Sequence, residues 1–554
     1  MITQRSSQFT RRRAGRAFIT LAVLLGLFLH FIPGAAAQGR APGWQIDCAD
    51  CPHTFDNPSA QVLEYAIRLP LPSPPPPPPA CSRYVDPAGT CNGLTPCYTG
   101  LGLAVAAAIP GDGICLFPGT YAESVDLSTM GTPGDLGLAT LNASGTPTPG
   151  TATVNPTTGP AIYNSVDPFP GNLYMDGLNL TTPDEDGLEI SVEQHIILQN
   201  LTASDNFDDG FDVYQVQGNV VMTDCLALNN GDVGIGVWAA VGNVSITGSE
   251  ANGNGGHGIW VGETQGHVAI SDCTANGNGG GAFTDGLHVE DTGGSVSIER
   301  CTASGQNGPL DNDGLEVNTT GGNVLVRQVT AIGNAEDGLD VWDIGGTLTV
   351  EAVVSQDHSE DDVWLHVAGL SPAVNGSILC EGGISGVSLA YETTVDAEGN
   401  WWGCAAGPGN PGCTIAEELQ GTIDYDPWID TISATATVDP VDAGQPTVIR
   451  FQFSGGGETV FLGQGPGDPN GTPPFRLTTN NGTLTGSGAT RATVYEFVNQ
   501  PDGILEVTLV PTWGGTATVT LDGPCGLDSS ISVQALGEIP QRFYLPLVLR
   551  NYGP

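Results

Sequence analysis

GIGVWAAVGNVSITGSEANGNGGH, Gly234 to His257, is one copy of a unit that returns along the middle of the chain. Anchored on Gly187, Gly210, Gly234, Gly258, Gly286, Gly314, Gly338 and Asp362, the copies are spaced by 23, 24, 24, 28, 28, 24 and 24 residues. Each 28 is a 24 with four residues added, around GGAF after Gly279 and around PLDN after Gly308. A fixed period with insertions at one corner describes a stack of equal coils, and it decides the fold before any local signal does. The residue one after the anchor is Leu188, Phe211, Ile235, Ile259, Leu287, Leu315, Leu339 or Val363. Three after it stand Ile190, Val213, Val237, Val261, Val289, Val317, Val341 and Leu365. Two apolar columns two residues apart predict a strand with one face always inside.

Two further strands follow in each unit. Val220/Met222, Val244/Ile246, Val268/Ile270, Val296/Ile298, Val324/Val326 and Leu348/Val350 form the inward positions of the second. The third carries Leu201, Cys225, Ser249, Cys273, Cys301, Val329 and Val353, with Ala203, Ala227, Ala251, Ala275, Ala303, Ala331 and Ser355 two places on. Its cysteines occupy a core column and read as small buried apolar groups. A turn column of Asn206, Asn230, Asn254, Asn278, Gln306, Asn334 and His358 comes next; asparagine tolerates left-handed turns, and stacked amides can bond from coil to coil.

One such unit cannot close a core by itself; stacking does it. The predicted fold is all-β: a right-handed parallel β-helix solenoid of about 24 residues per coil, followed by a small β-sandwich. The pattern resembles the pectin-lyase-like superfamily over roughly Cys81 to Ile429. Tyr98 to Ile109 looks like a capping helix, ICLFPGTYAESV is similar to a first rung, and EGNWWG and DYDPWI resemble a closing segment. Alternation in TVIRFQF, ILEVTLV and GTATVTL predicts the sandwich, similar to a bacterial immunoglobulin-like domain. The expected divisions are 1–37, 38–80, 81–430, 431–535 and 536–554. The first reads as a secretory signal, with Arg11, Arg12, Arg13 and Arg16 ahead of an apolar run and Ala35-Ala36-Ala37, so that mature chain starts near Gln38. The second contains a proline spacer, Pro74 to Pro79, and the last an apolar FYLPLVLRNY tail.

All 15 basic residues are arginine, and five precede the expected cleavage point while all 60 acids follow it. Ten arginines against 60 acids leave about −50 on the exported chain, a poor match to nucleic acid or anionic membrane. No segment beyond the leader is apolar enough for a membrane span. Thirteen cysteines in an exported chain point to disulfides, with Cys404–Cys413 as one pair and Cys81, Cys91, Cys97 and Cys115 as a cluster; Cys48-x-x-Cys51-Pro-His53 reads as a disulfide or a loose loop.

Outward positions of the first strand gather Tyr214, Trp238, Trp260, Trp342 and Trp364 with Glu189, Asp212, His288, Glu290, Glu316 and Asp340. Rings that stack on sugar faces beside carboxylates that bond hydroxyls predict binding of polysaccharide or cell-surface glycan, with Tyr214, Trp238, Trp260, Trp342, Trp364, His288 and Glu290 as contacts. Aspartates recur just before the anchor, as Asp186, Asp209, Asp285, Asp313, Asp337 and Asp361, and read as Asp-Gly turns capping local N–H groups. Carboxylates ~4.8 Å apart repel by roughly 3 kcal/mol at an effective dielectric of ~20. Calcium would relieve this, and the predicted ligands are Asp186, Glu189, Asp209 and Asp212 at one end and Asp313, Glu316, Asp337 and Asp340 at the other.

A lyase needs a base and cations for a uronate, yet Arg300 and Arg327 lie on the second strand, away from this face. Family 28 glycosidases offer a closer resemblance through Asn206-Phe207-Asp208, Asp208-Asp209 and Gly256-His257-Gly258, without the Arg-x-Lys element. It implies Asp208, Asp209, Asp212 and His257 as catalytic residues of a hydrolase for neutral polysaccharide, the alternative to pure binding; a stalk without ligand is the third reading.

Overall fold

The structure is a computed structural model that describes residues 77–537 except 311, 368–370, 381–382, 392, 419–420, 457, 460–474, 486–492 and 497–503. The expected signal, the Cys48/Cys51 element, most of the proline spacer's approach and the FYLPLVLRNY tail lie outside the described residues.

The repeat folds as a parallel β-solenoid. First strands of successive coils form a 12-stranded sheet and second strands a 15-stranded sheet. Third strands form sheets of six and three strands, bridged by the single pairs Glu250↔Thr274, Thr274↔Thr302 and Thr302↔Thr330. Pairing is in register with the sequence columns: Phe211 faces Ile235, Ile235 faces Ile259 and Ile259 faces Leu287. Both apolar columns of the first strand are fully buried, as are Cys225, Cys273 and Cys301, which stay free thiols. Inside such a stack, like sits on like, and one apolar column extends the core by the same contacts at every step.

Corners impose a second requirement, because a turn that enters the core must still satisfy its backbone N–H groups. Side chains meet it in continuous ladders. In the expected turn column, the Asn206 N–H donates to Asn230 Oδ1 (3.1 Å), Asn230 N–H to Asn254 Oδ1 (3.0 Å), Asn254 N–H to Asn278 Oδ1 (2.9 Å) and Asn278 N–H to Gln306 Oε1 (2.8 Å). Asn334 N–H ends the run on His358 Nδ1 at 3.2 Å. A ladder that the column reading missed follows the first strand: Asn219 N–H donates to His195 Nδ1, Asn243 N–H to Asn219 Oδ1, His267 N–H to Asn243 Oδ1 and Ser295 N–H to His267 Nδ1.

At the N-terminal end the expected helix is shorter than Tyr98 to Ile109. It spans Leu101–Ala106, and Tyr98 instead ends the strand Cys97–Tyr98. Gly100 starts the turn and the Glu123 carboxylate accepts the Leu101 and Gly102 N–H groups, which places the first helical residue at Leu101. The clustered cysteines pair as Cys81–Cys115 and Cys91–Cys97, and Cys404 pairs with Cys413 as expected.

The C-terminal region is a β-sandwich. One sheet holds Thr431–Ala436, Thr447–Gly455, Ile504–Val510 and Thr483–Thr485; the other holds Val441–Asp442, Ser529–Leu536, Gly515–Asp522, Phe475–Thr479 and Thr493–Glu496. Its core of Phe451, Phe453, Phe475 and Leu477 is continuous with Val354, Ile378 and Trp401 of the last coils. A Cys380–Cys525 disulfide, which no spacing in the sequence announces, ties the two parts together.

Removing one ladder amide strands several buried groups at once. Asn254→Ala takes the side-chain acceptor from the buried Asn230 N–H and removes the bond to the Ala227 carbonyl, and unfolding in denaturant is expected to show a loss of about 3 kcal/mol.

Candidate functional site

The outer face of the first sheet has a centre and two flanks. The centre lies in the coils anchored on Gly258, Gly286 and Gly314. His288 Nδ1 is 2.7 Å from Asp285 Oδ2 and 2.8 Å from Glu316 Oε2, and its Nε2 is 3.8 Å from Glu290 Oε2. Glu290 and Glu316 are themselves held by indoles. Trp260 Nε1 donates to Glu290 Oε1 at 3.1 Å, and Trp342 Nε1 donates to Glu316 Oε1 at 3.0 Å, where Asn318 Nδ2 also donates at 2.7 Å.

On one flank the Trp238 and Trp260 rings meet edge to face with centroids 3.6 Å apart. Glycines make room for them: a Cβ on Gly262 would stand 3.1 Å from the Trp238 ring, so a side chain there would lift the indole off the sheet. On the other flank Trp364 stacks on His366 and His366 on Tyr391, with centroids 5.7 and 4.5 Å apart. The two four-residue insertions fall in the coils of this same centre. They precede Gly286 and Gly314, and they bring exposed Phe283 and Leu310 side by side through a Phe283 N–H to Leu310 carbonyl bond of 2.8 Å.

Charge in the centre is fixed by geometry. Burial opposes ionisation of Asp285, but the imidazoles of His257 and His288 outweigh it and hold the carboxyl well below the usual range. Burial likewise opposes the imidazolium of His288, yet Asp285, Glu290 and Glu316 outweigh it and raise its pKa well above the usual value. His288 is therefore a buried cation between carboxylates and not, as expected, a surface contact; it is 7% exposed.

The aspartates before the anchor also differ from expectation. They are not local turn caps but a third ladder running between coils. Asp209 N–H donates to Asp186 Oδ1 (2.7 Å), Val233 N–H to Asp209 Oδ1 (2.8 Å), Asp313 N–H to Asp285 Oδ1 (2.9 Å), Asp337 N–H to Asp313 Oδ1 (2.8 Å) and Asp361 N–H to Asp337 Oδ1 (2.6 Å). His257 takes an aspartate's place, its Nδ1 accepting the Asp285 N–H at 2.9 Å. That nitrogen of His257 is thereby taken up by the ladder, 3.5 Å from Asp285 Oδ2.

Nor do the four residues of the hydrolase resemblance assemble. Asp186, Asp208 and Asp209 have carboxylate oxygens within 4.8 Å of one another, but His257 belongs with Asp285 and His288. Gly210 N–H bonds to the Val233 carbonyl and Gly234 N–H to the His257 carbonyl, so a full coil separates Asp209 from His257. Asp212 and Asp340 turn out buried, at 3% and 7% exposure, instead of lying open on the face. Tyr214 is half-buried, and its hydroxyl donates to the Asp167 carboxylate at 3.0 Å. Of the expected calcium ligands, Glu189 and Asp212 are register neighbours beside the Asp186 group; at the other end Asp313 and Glu316 have carboxylate oxygens within 4.8 Å of one another and of Asp285, Glu316 also meets His288, and Asp313 and Asp337 each give Oδ1 to the ladder.

Sequence reasoning missed Asp285, the residue that joins ladder and centre. The available signal was the placement of both insertions in the coils that carry His288, Glu290 and Glu316.

A family model described as a right handed beta helix region matches residues 170–352. Among solved structures, the chain is similar to pectate lyase Pel9A, with 17% identity, a TM-score of 0.34, and coverage of 58% of this chain and 80% of that one. It is also similar to tailspike protein gp49 of Acinetobacter baumannii bacteriophage Fri1, a capsular polysaccharide depolymerase, at 7% identity and a TM-score of 0.26, covering 77% of this chain and 73% of that one. A rhamnogalacturonan lyase matches at 13% identity and a TM-score of 0.16, over 57% of this chain and 73% of that one. No curated protein matches. The solenoid is thus a right-handed β-helix.

The aspartate ladder has a pH signature. Burial, with the charges of Asp212, Asp208 and Glu189, pushes Asp186 up to about 8, and burial, with Asp361, Glu336 and Glu360, does the same to Asp337. Burial also raises Asp209 and Asp313. Carboxyls raised above their unfolded value of about 3.9 bind more protons folded than unfolded, so their contribution is complete below that value and is lost as pH rises through about 8. His288 acts in the same direction above its unfolded value of about 6.5. His358, which burial lowers to about 3, acts oppositely, but only below about 6.5. In EDTA the melting temperature is expected to fall as pH rises from about 6.5 to about 8.5, and a flat or rising profile would contradict the protonated ladder.

Proposed function

We propose that the protein works outside the cell and binds polysaccharide along the outer face of the first sheet, in adhesion or recognition. One observation carries this reading: a row of rings and carboxylates from Trp238 through Trp260, Glu290, Glu316, Trp342 and Trp364 to Tyr391, advancing one coil at a time. The coil spacing of ~4.8 Å is close to the advance per sugar along an extended polysaccharide, so successive coils meet successive sugars in the same way. Rings take the C–H faces of pyranoses, and the carboxylates, already oriented by indole N–H groups, accept their hydroxyl protons. Four disulfides support an oxidising compartment, and among the described residues no helix is long and apolar enough to cross a membrane.

Hydrolysis is the second reading, favoured by the buried His288 cation. A binding face needs no charged imidazole sealed between Asp285 and Glu316; a site that positions carboxylates for acid and base work does. In this reading Glu290 and Glu316, not Asp208, Asp209 and Asp212, face the scissile bond.

For calcium the Asp186 end is the place proposed. The carboxylates of Asp186, Asp208 and Asp209 converge, and Asp186 and Asp209 each spend one oxygen on the ladder and keep the other. These three would hold the ion, with Glu189 and Asp212 beside them, and it would neutralise their mutual repulsion.

Two measurements test the reading. On a glycan panel with reducing-end release assayed in the same samples, binding without product is expected, and Trp238→Ala with Trp260→Ala should abolish it; product release would move the protein to the hydrolases, and no binding at all would leave a stalk. At about pH 8, where Asp186 is losing its proton, calcium should raise the melting temperature over EDTA, and Asp208→Asn should remove the increase; an unchanged temperature would dismiss the ion.

A further inference from the structure

We infer that the glycan bound on this face carries protonated amines, as a glucosamine polymer does, and is selected over neutral and uronate chains. The inference rests on the polysaccharide reading above and adds the charge of the ligand.

The chain contains no lysine, and no arginine stands in any first strand of the repeat. The described arginines nearest in sequence are engaged elsewhere: Arg300 with Asp272 and Glu299, and Arg327 with Glu351. His288 is the one strongly basic group of the site's centre, and Asp285 and Glu316 already balance it at 2.7 and 2.8 Å. Among the described residues the face is thus left with a surplus of carboxylates and with no lysine or arginine to hold an acidic sugar.

That surplus is arranged, not scattered. Two indole–glutamate units recur, Trp260 with Glu290 and Trp342 with Glu316, each joined through the indole N–H. A pyranose stacked on either indole has a carboxylate at the ring's edge, where its equatorial substituents point. A hydroxyl there makes one hydrogen bond. An ammonium there makes a charge-assisted bond, roughly twice as strong as a neutral one. Exposed Glu263 and Asp291, just past the ends of their strands, and exposed Asp343 near the end of its own extend the negative potential over the face. A cationic polymer is drawn to this field, and a polyuronate is repelled by it.

The test compares chitosan oligosaccharides with chitin oligosaccharides of the same length, which differ only in N-acetylation, and with oligogalacturonate, at a pH where the amines are protonated. Calorimetry is expected to show the chitosan series bound at least about tenfold more tightly than the chitin series, with an advantage that shrinks as salt rises. Glu290→Gln, checked for folding by circular dichroism, should reduce the preference while leaving chitin binding measurable. Equal affinities, a preference that ignores salt, or tighter oligogalacturonate binding would overturn the amine inference and leave polysaccharide binding standing. Binding of none of the three, nor of any neutral glycan in the panel, would remove both.

Discussion

The repeating corners of this solenoid depend on side-chain acceptors for backbone N–H groups that strand pairing leaves over. Strands, and many turn residues with them, pair backbone to backbone with the coils above and below, but a set of corner N–H groups is left over. The chain answers with side-chain ladders, in which the residue at one corner accepts the N–H of the equivalent residue in the neighbouring coil. Because the acceptor is supplied by the neighbour, the requirement repeats at a fixed interval and constrains the sequence as strongly as the apolar columns do. It also explains a set of residues that otherwise looks unrelated. Asparagine, aspartate, glutamine, serine and histidine all appear in these columns, since each offers an acceptor at the right reach, and His195, His257, His267 and His358 all do so through Nδ1.

The candidate site grows out of one of these ladders. Asp285 spends Oδ1 on the Asp313 N–H, as a ladder member must, and turns Oδ2 to His288. A structural carboxylate thereby fixes the ring that Glu316 and Glu290 surround. The neighbouring substitution of His257 for aspartate removes a negative charge at the step where the centre lies. Val233 interrupts the acidic run in the coil before it. Acidic ladders thus flank the centre on either side, and burial raises the pKa of their carboxyls.

Much of the fold was legible beforehand because its evidence is additive. Eight coils vote on each column, so Leu188 to Val363 and Ile190 to Leu365 identify an inward face that no single copy could. The same regularity misled where one residue departs from its column's usual role. Asp212 and Asp340 occupy outward positions and are nonetheless buried, because neighbouring side chains on the face cover them. Tyr214 was assigned as a platform from its column alone, and Asp167, 47 residues away, holds its hydroxyl. The Cys380–Cys525 bond lies between parts whose sequence separation of 145 carries no periodic signal.

By itself the sequence determined the period, the number of strands per coil, which residues face inward, and the strong negative charge that disfavours acidic partners. These follow from strand alternation and translation by one coil, which are local rules applied repeatedly. Only the tertiary structure decided which carboxylate meets which imidazole, that the pre-anchor aspartates serve the next coil instead of their own turn, and that His257 sits with Asp285 and His288 and not with Asp208 and Asp209. Those choices depend on side-chain direction and burial between coils, where a shift of one rung or one rotamer exchanges a charge partner while leaving every column of the repeat unchanged.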